Sequence, residues 1–354
     1  MKTKDVLRAF LLLALVGLVF VWVGSSSGTY LGRILITIGI YAILSVSLGL
    51  SNGFTGVFSI GHTAFMALGA YTGAILTLPL EVKASTMTDL PAFLATTQLG
   101  FLPATLLAGV IPAVVALLVG AVILRLSGNY IAVATLGLLV ITREVLLNAE
   151  SLTRGARTFT GILPLTNLPW IYFWGFVTVY IAWRIKRSSF GRQMFASRDD
   201  RLAAESQGIN ILRTRMLAFV ISAFLTGVAG SLYAHFVLAF SARTFYLVIT
   251  FEVISMLVIG GMGSVSGAAI GAVVLSGFKE VLRLLEPGLS IGPVHIPPVY
   301  GAAQITIAVL FILVMILRPE GLLKDGEIDP LSAVNWIPAL WKRANSRWIK
   351  RGGS

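Results

Sequence analysis

SFGRQMFASRDDRLAAESQGIN, running from Ser189 to Asn210, is the one long polar stretch in a chain whose remainder is apolar enough for lipid. Within it, Ser197-Arg-Asp-Asp200 has the S-x-x-D spacing of a helix N-cap. There the serine oxygen accepts an otherwise unpaired backbone N–H, and the aspartates sit at the positive helix end. Gly208 is the natural stop, because glycine enters the left-handed C-cap without steric cost. The spacing predicts a short helix between cap and stop, about ten residues and 15 Å long. Leu202 and Ile209 fall seven apart on one face, with Ala203, Ala204 and Glu205 as a small-residue patch beside them. Small side chains let another surface come close, while Arg198, Asp199, Arg201 and Glu205 offer charges of both signs, so one reading is a docking element. The other is a basic amphipathic helix lying on anionic headgroups, since Lys186, Arg187, Arg192, Arg213 and Arg215 flank it. On the residues alone, both stand.

Of the 354 residues, 56% are hydrophobic and 12% charged, and the mean hydropathy is +0.89. A soluble domain carries about 25% charged residues. This chain has too little polar surface to cover itself in water, and an integral membrane protein of all-α class is expected. The net charge of +12 is not the footprint of a nucleic-acid binder, because the lysines and arginines gather in the central loop and at the two ends. That distribution orients a membrane protein. With no cysteine there is no disulfide framework and no thiolate metal site, and His62, His235 and His295 are too scattered to suggest a ligand set. No H-E-x-x-H, no G-x-S-x-G and no clustered carboxylate pair occurs, so neither enzymatic activity nor a cofactor is expected. No Gly-Lys dipeptide exists, which excludes a Walker A loop. If ATP drives this protein, another subunit hydrolyses it.

Lys2, Lys4 and Arg8 precede an apolar run from Ala9 to Val23, and Gly24-Ser-Ser-Ser27 follows, as in a secretory signal. The run is long for a signal and many more spans follow, so an uncleaved first helix with a cytoplasmic N-terminus is expected. Further runs long enough for a hydrocarbon core of about 30 Å are Ile34 to Leu50, Ile60 to Leu80, Phe101 to Leu124 and Tyr130 to Leu147. Leu168 to Trp183, Met216 to Leu238, Tyr246 to Ile259, Val265 to Leu285 and Val299 to Leu317 complete a set of ten, with both ends cytoplasmic. The charges agree. The segment Glu81 to Gln98, placed outside, has two acids and one lysine, whereas Arg184 to Arg215, placed inside, has eight basic residues and three acids. Residues 1–325 read as a transmembrane domain with a cytoplasmic loop at 186–214, and residues 326–354 as a basic cytoplasmic tail. Two regions have the look of broken or re-entrant helices: the glycine-separated pair from Ile34 to Leu80, and the short run ending at Ile259. No internal repeat is evident.

Glycine is dense in two places. Gly53-Phe-Thr-Gly56, Gly61-His62 and Gly69-x-x-x-Gly73 form the first; Gly260-Gly261, Gly263, Gly267 and Gly271 form the second. Such spacing suits close helix packing, and for most of these glycines packing is explanation enough. The functional version is a solute path through glycine-broken helices, with Asn52, Thr55, Ser59, His62, Thr63, Tyr71 and Thr72 supplying hydrogen bonds. Ionisable residues within spans are few: Arg143, Glu144, Glu252, Lys279, Glu280 and Arg283, most within snorkelling reach of an interface. They form no proton relay or voltage sensor, which weakens the alternative of a self-sufficient carrier or channel.

Four stretches together resemble the permease subunits of branched-chain amino-acid ABC importers. Gly53-Phe-Thr-Gly-Val-Phe-Ser-Ile-Gly-His-Thr-Ala-Phe65, continuing to Gly69-Ala-Tyr71, is similar to that family's Gly-Tyr-Thr-Gly, Ser-Leu-Gly-His-Ala-Ala-Phe and Gly-Ala-Tyr pattern. Leu126 to Gly137 resembles its Gly-x-Tyr-x-Ala-x-x-Thr-Leu segment. Phe190-Gly-Arg192 with Arg198-Asp-Asp200 and Ala203 to Asn210 resembles its coupling loop. Gly260 to Gly267 and Arg318-Pro-Glu-Gly-Leu-Leu323 resemble its Gly-Gly-x-Gly-Ser and closing elements. The resemblance implies an inner-membrane, multi-pass permease without enzymatic activity, forming half of a channel for branched-chain or other small amino acids. It implies that the Ser197 to Gly208 helix couples to a cytoplasmic ATPase through Arg198, Asp199, Ala203, Ala204, Glu205 and Gly208. The implied partners are ABC ATPase subunits, a second permease, a periplasmic substrate-binding protein and membrane lipid. One departure bears on the solute: after Glu150-Ser-Leu-Thr153 the family usually has a glycine-rich segment, and this chain has Arg154-Gly-Ala-Arg-Thr-Phe-Thr-Gly161. Two arginines there keep urea or a short amide open as the cargo.

Overall fold

The computed structural model describes residues 29–286, 290–291, 294–295, 301–318, 320–323 and 326–327. The expected first span, Ala9 to Val23, and the basic tail beyond residue 327 lie outside them. Helices follow the apolar runs: α1 (Thr29–Leu48), extended by a π-helical turn at Gly49–Gly53, α2 (His62–Thr77), α3 (Leu80–Thr86), α4 (Phe101–Ile123), α5 (Asn129–Asn148) and α6 (Leu168–Arg187). The polar stretch forms α7 (Ser189–Asp199) and α8 (Arg201–Ser206). After it come α9 (Ile211–Val237), α10 (Leu247–Gly260), α11 (Val265–Leu285) and α12 (Ala302–Leu317). The only strands among the described residues are two residues each, β1 (Ser290–Ile291) antiparallel to β2 (Val294–His295).

Five stretches are long and apolar enough to cross a membrane: Tyr30–Gly53, α4, α5, α9 and Val265–Arg283. A sixth results if α2 and α3, bent by 112° at their junction, count as one. The other expected spans within the described residues are helical but shorter or more polar. Glycine-rich turns cause the shortening: α2 begins only after Gly61, and α10 stops where Gly261 takes φ +114°.

The centre of the bundle is α9, packed between α2 and α4 with almost no side chain intervening. A methyl group added at Gly69 would overlap the Gly227 carbonyl, and one at Gly227 would overlap the Ala108 carbonyl of α4. Gly260 and Gly267 bring α10 and α11 together in the same way. Both glycine clusters therefore serve close packing first. The ionisable residues inside the spans are paired rather than reaching separately for water: Lys279 meets Glu252 at 2.5 Å, with Tyr41 donating to the same carboxylate at 2.8 Å, and Arg143 pairs with Glu144 at 2.9 Å.

The segment between α3 and α4 is held by a lysine of α3. Lys83 is 1% exposed and donates to the carbonyls of Leu94 at 2.8 Å and Thr97 at 2.5 Å. Lys83→Met keeps the stem but orphans two carbonyls, each worth about 1–3 kcal/mol. A thermal melt of the detergent-solubilised protein should show a Tm lower by several degrees, and an unchanged Tm would show that water replaces the ammonium. Of the two unexplained arginines nearby, Arg154 takes φ +64° and donates to Thr160 at 3.1 Å, while Arg157 is exposed. Their loop is fixed by a two-way backbone bridge between Phe159 and Phe240.

Candidate functional site: a glycine hub gripped by the polar segment

The residues expected to line a path separate into three groups. The Asn52 side chain bonds the Ser59 backbone twice, its Oδ1 accepting from Ser59 N at 3.1 Å and its Nδ2 donating to Ser59 O at 3.2 Å, and Thr55 donates to the Ser51 carbonyl at 2.6 Å; these bonds staple the local turn. Tyr71 sits edge-on between Phe159 and Phe240, with ring centroids 5.7 and 4.9 Å away, and Thr72 is half-buried on α2. Only His62 and Thr63 meet in a polar centre of the bundle.

There the His62 Nε2 is bonded by Thr226 and lies 3.3 Å from both Ser47 and Ser222. Thr63 bonds Thr250 of α10 at 2.6 Å. The sequence reading missed Ser47, Ser222, Thr226 and Thr250. A signal existed, since Ser222, Thr226 and Gly230 recur every fourth residue on otherwise apolar α9 and so share one face. Beside these groups lies a space of about 10 Å³ lined by His62, Thr63, Thr226 and Thr250 with apolar residues of α1 and α10. That is room for about one water.

Below that level the two glycine clusters touch. Gly53 is packed against Met262 so closely that a Cβ would overlap the Met262 oxygen and stand 2.7 Å from its carbon. Two cations hold this junction, Arg198 from the polar segment and Lys186 from the last turn of α6. Arg198 donates to the Gly53 carbonyl at 3.0 Å and Lys186 to the Gly263 carbonyl at 2.6 Å. Phe195 lies between them, 4.8 Å from the Arg198 guanidinium, 5.8 Å from the Lys186 ammonium and 5.1 Å from the Phe54 ring. Cations over an aromatic face are mutually shielded and attracted to the ring.

The polar segment differs from the expectation at one end. Ser197 is buried in the last turn of α7 and donates to the Met194 carbonyl; the N-cap of α8 is Asp200, whose Oδ1 accepts from Ala203 N at 3.0 Å. An extended residue at Asp200, φ −148°, breaks what was expected as one helix from Ser197. An aspartate caps better here because its charge also meets the helix dipole. The stop is as expected. Gly208 takes φ +78°, its N–H bonds Glu205 O at 3.0 Å, and Ile209 N bonds Ala204 O at 3.1 Å, the paired bonds of a glycine-terminated helix.

On α8, Ala204 is buried against the protein while Ala203, Glu205 and Ser206 are exposed, and Leu202 is 78% exposed. Arg201 and Glu205 pair at 2.9 Å. A cleft of about 370 Å³ runs beside the helix, lined by Arg125, Arg201, Glu205 and Arg215 among others. Glu327, which the sequence reading did not single out, completes the hub. Burial would raise its carboxyl, but hydrogen bonds from Lys186 and Ser266 outweigh this and hold it below the ordinary carboxylate range, so it is charged at neutral pH. No group of three or more potential metal ligands occurs among the described residues.

A bundle of long apolar helices with a small polar centre, and a glycine hub held from one end by Arg198 and Lys186, is the architecture of a membrane permease, and the comparisons with known proteins agree. Residues 30–317 match the family model described as "Branched-chain amino acid transport system / permease component", and the chain belongs to this family. It is thus a membrane permease subunit of an ABC importer. It is similar to the high-affinity branched-chain amino acid transport system permease protein LivM of Salmonella typhimurium, with 28% identity over 318 residues, 80% of this chain and 68% of that one. The probable branched-chain amino acid transport permease protein LivM of Methanocaldococcus jannaschii is 24% identical over 334 residues, 84% and 94% of the two chains. The autoinducer 2 import system permease protein LsrC of Klebsiella pneumoniae is 30% identical over 175 residues, covering 44% and 48%. No solved structure matches.

Proposed function

We propose that this subunit forms half of the translocation channel of an importer for branched-chain or other small amino acids in the bacterial inner membrane. It works by receiving ATPase motion on α8. The observation that carries the coupling role is the orientation of α8. The helix is anchored from within by Ala204 and, through the preceding turn, by Arg198, while Leu202, Ala203 and Glu205 face outward, uncovered by any of the described residues. An apolar residue 78% exposed beside small neighbours suits a partner surface, and the arginine-lined cleft next to it suits an acidic side chain of that partner. Closure of two ATPase subunits would move α7 and α8, and the hub would pass the movement to the spans that meet at His62. This is alternating access, in which ATP acts by favouring one arrangement over another.

In the full topology we read ten spans with both ends cytoplasmic, a tail from residue 326, and no catalytic activity in this chain. A second permease completes the channel and a periplasmic binding protein delivers solute. The names of the LivM relatives support branched-chain amino acids as cargo. Arg154 and Arg157 on the outer rim keep urea or a short amide as a second reading, and the LsrC likeness shows that related permeases bear other cargo names.

The test is to tag the chain, extract it gently from its own membrane, and identify its companions by mass spectrometry. Recovery of an ATPase and a second permease is expected, followed by uptake of leucine rather than urea into proteoliposomes of the complete assembly. Recovery of this chain alone, under conditions that keep a known importer intact, would refute the coupling role of α8.

A further inference from the structure

The α10–α11 turn is held at more points than packing requires. Glu327 uses both carboxylate oxygens on the first turn of α11: Oε1 accepts from Val265 N at 2.8 Å, and Oε2 accepts from Ser266 N at 2.9 Å, Ser266 Oγ at 2.5 Å and Ser264 Oγ at 3.3 Å. The same Oε1 accepts from Lys186 Nζ at 2.6 Å, and Lys186 also donates to the Gly263 carbonyl within the turn. Most exposed ion pairs contribute little. This one is 14% and 16% exposed at its two side chains, and its carboxylate caps a helix whose unpaired N–H groups and dipole favour negative charge. The chain leading to Glu327 is itself pinned, since Leu322 N bonds Ile259 O at 2.8 Å and Leu323 N bonds Gly260 O at 3.2 Å at the end of α10.

Lys186 stands two residues before Ser188, the N-cap of α7. The hub is thus gripped on both sides of the α6–α7 junction, at the Gly53 turn by Arg198 of α7 and at the Gly263 turn by Lys186, in the last turn of α6, with Glu327. One grip would act as a pivot and let the segment rotate without moving the spans. Two grips on adjoining turns turn that rotation into displacement of α11.

We propose that Glu327 is a positioning residue for transport: with Lys186 it forms a strut that fixes the α10–α11 turn to the root of the polar segment, so that α11 follows when α7 and α8 move. The proposal rests on the reading of α7 and α8 as the receiver of ATPase motion.

The chain has no native cysteine, so labels can be placed singly. Spin labels at Gln193→Cys on α7 and Val273→Cys, exposed on α11, are each paired with a reference label at Val122→Cys, exposed on α4. Distances are measured in the complete transporter before and after ATP binds with hydrolysis blocked. In the parent, both distances shift. In Glu327→Gln and in Lys186→Met the α7 shift is expected to persist while the α11 shift falls by at least half. The double variant should be no worse than either single one, since the two residues form one device. Glu327→Asp should recover part of the shift, and Ser266→Ala, which removes one of several bonds to the Glu327 carboxylate, should lose least.

An α11 shift equal to the parent's in assembled Glu327→Gln would overturn the strut and leave the coupling reading intact. Absence of any α7 shift in the parent would overturn the coupling reading itself. Failure of every variant to assemble, Ser266→Ala included, would make Glu327 a folding element only and would also overturn the proposal.

Discussion

Gly53→Ala is expected to lower uptake by the reconstituted transporter more than tenfold, whereas Gly49→Ala, on the same π-helical turn, is expected to leave uptake within twofold. The difference lies in what each added methyl meets. At Gly49 the nearest atom is the end of the Leu257 side chain at 3.3 Å, which can give by a few tenths of an ångström. At Gly53 it is the Met262 backbone, and no rotamer change can relieve an overlap between two main chains. Overpacking in a close-packed interior costs about 1–3 kcal/mol and often more. Here relief requires the two glycine turns to part, which also lengthens the Arg198 bond to the Gly53 carbonyl. Normal uptake by Gly53→Ala, with the protein present in the membrane at parental level, would mean that the two turns need not touch.

The second large effect is expected at Gly208, for a reason of dihedral angle rather than space. Nothing lies within 4 Å of a Cβ placed there, yet its φ is +78°. Gly208→Ala therefore meets no clash and bears only the left-handed penalty of about 1–2 kcal/mol, so uptake should fall modestly. Gly208→Pro locks φ near −65°, and it deletes the N–H that closes α8 onto Glu205 O. Loss of uptake with unchanged membrane insertion is expected, because α8 lies in the polar segment outside the long apolar helices. Glu205→Lys, which breaks the pair with Arg201 and adds a cation beside three arginines of the cleft, should give the same phenotype without altering the backbone. Co-purification of the ATPase separates the outcomes: reduced recovery with both variants supports docking on α8, while full recovery with normal transport by either removes α8 from coupling.

Much of the architecture was legible because it depends on one-dimensional properties. Apolar length set where helices run, glycine set where α2 begins and where α10 and α8 end, and the single long polar stretch became the polar pair α7 and α8 between α6 and α9. The break at Asp200 was not legible. Ser197 and Asp200 are both good caps, and the choice between them turned on burial of Ser197 against the protein, which spacing alone does not report.

The candidate site was legible in part for the same reason. The glycine clusters, His62, Thr63 and the polar segment could be singled out because each is anomalous in its own neighbourhood of sequence. Which of them meet depends on contacts between distant positions. Asn52 turned inward to the Ser59 backbone of its own loop, while Ser47, Ser222 and Thr226 arrived at His62, and Thr250 at Thr63, from three other helices. Glu327 carried no local signal at all, being one acid in a polar closing stretch. By itself, the sequence determined that the protein lives in lipid, where most of its described helices lie and that it carries no Walker A loop. The tertiary structure alone decided that the two glycine clusters form one hub held by Arg198, Lys186 and Glu327. Hydropathy and turn propensity act along the chain, whereas close approach of backbones and pairing of buried charges exist only between segments that folding has brought together.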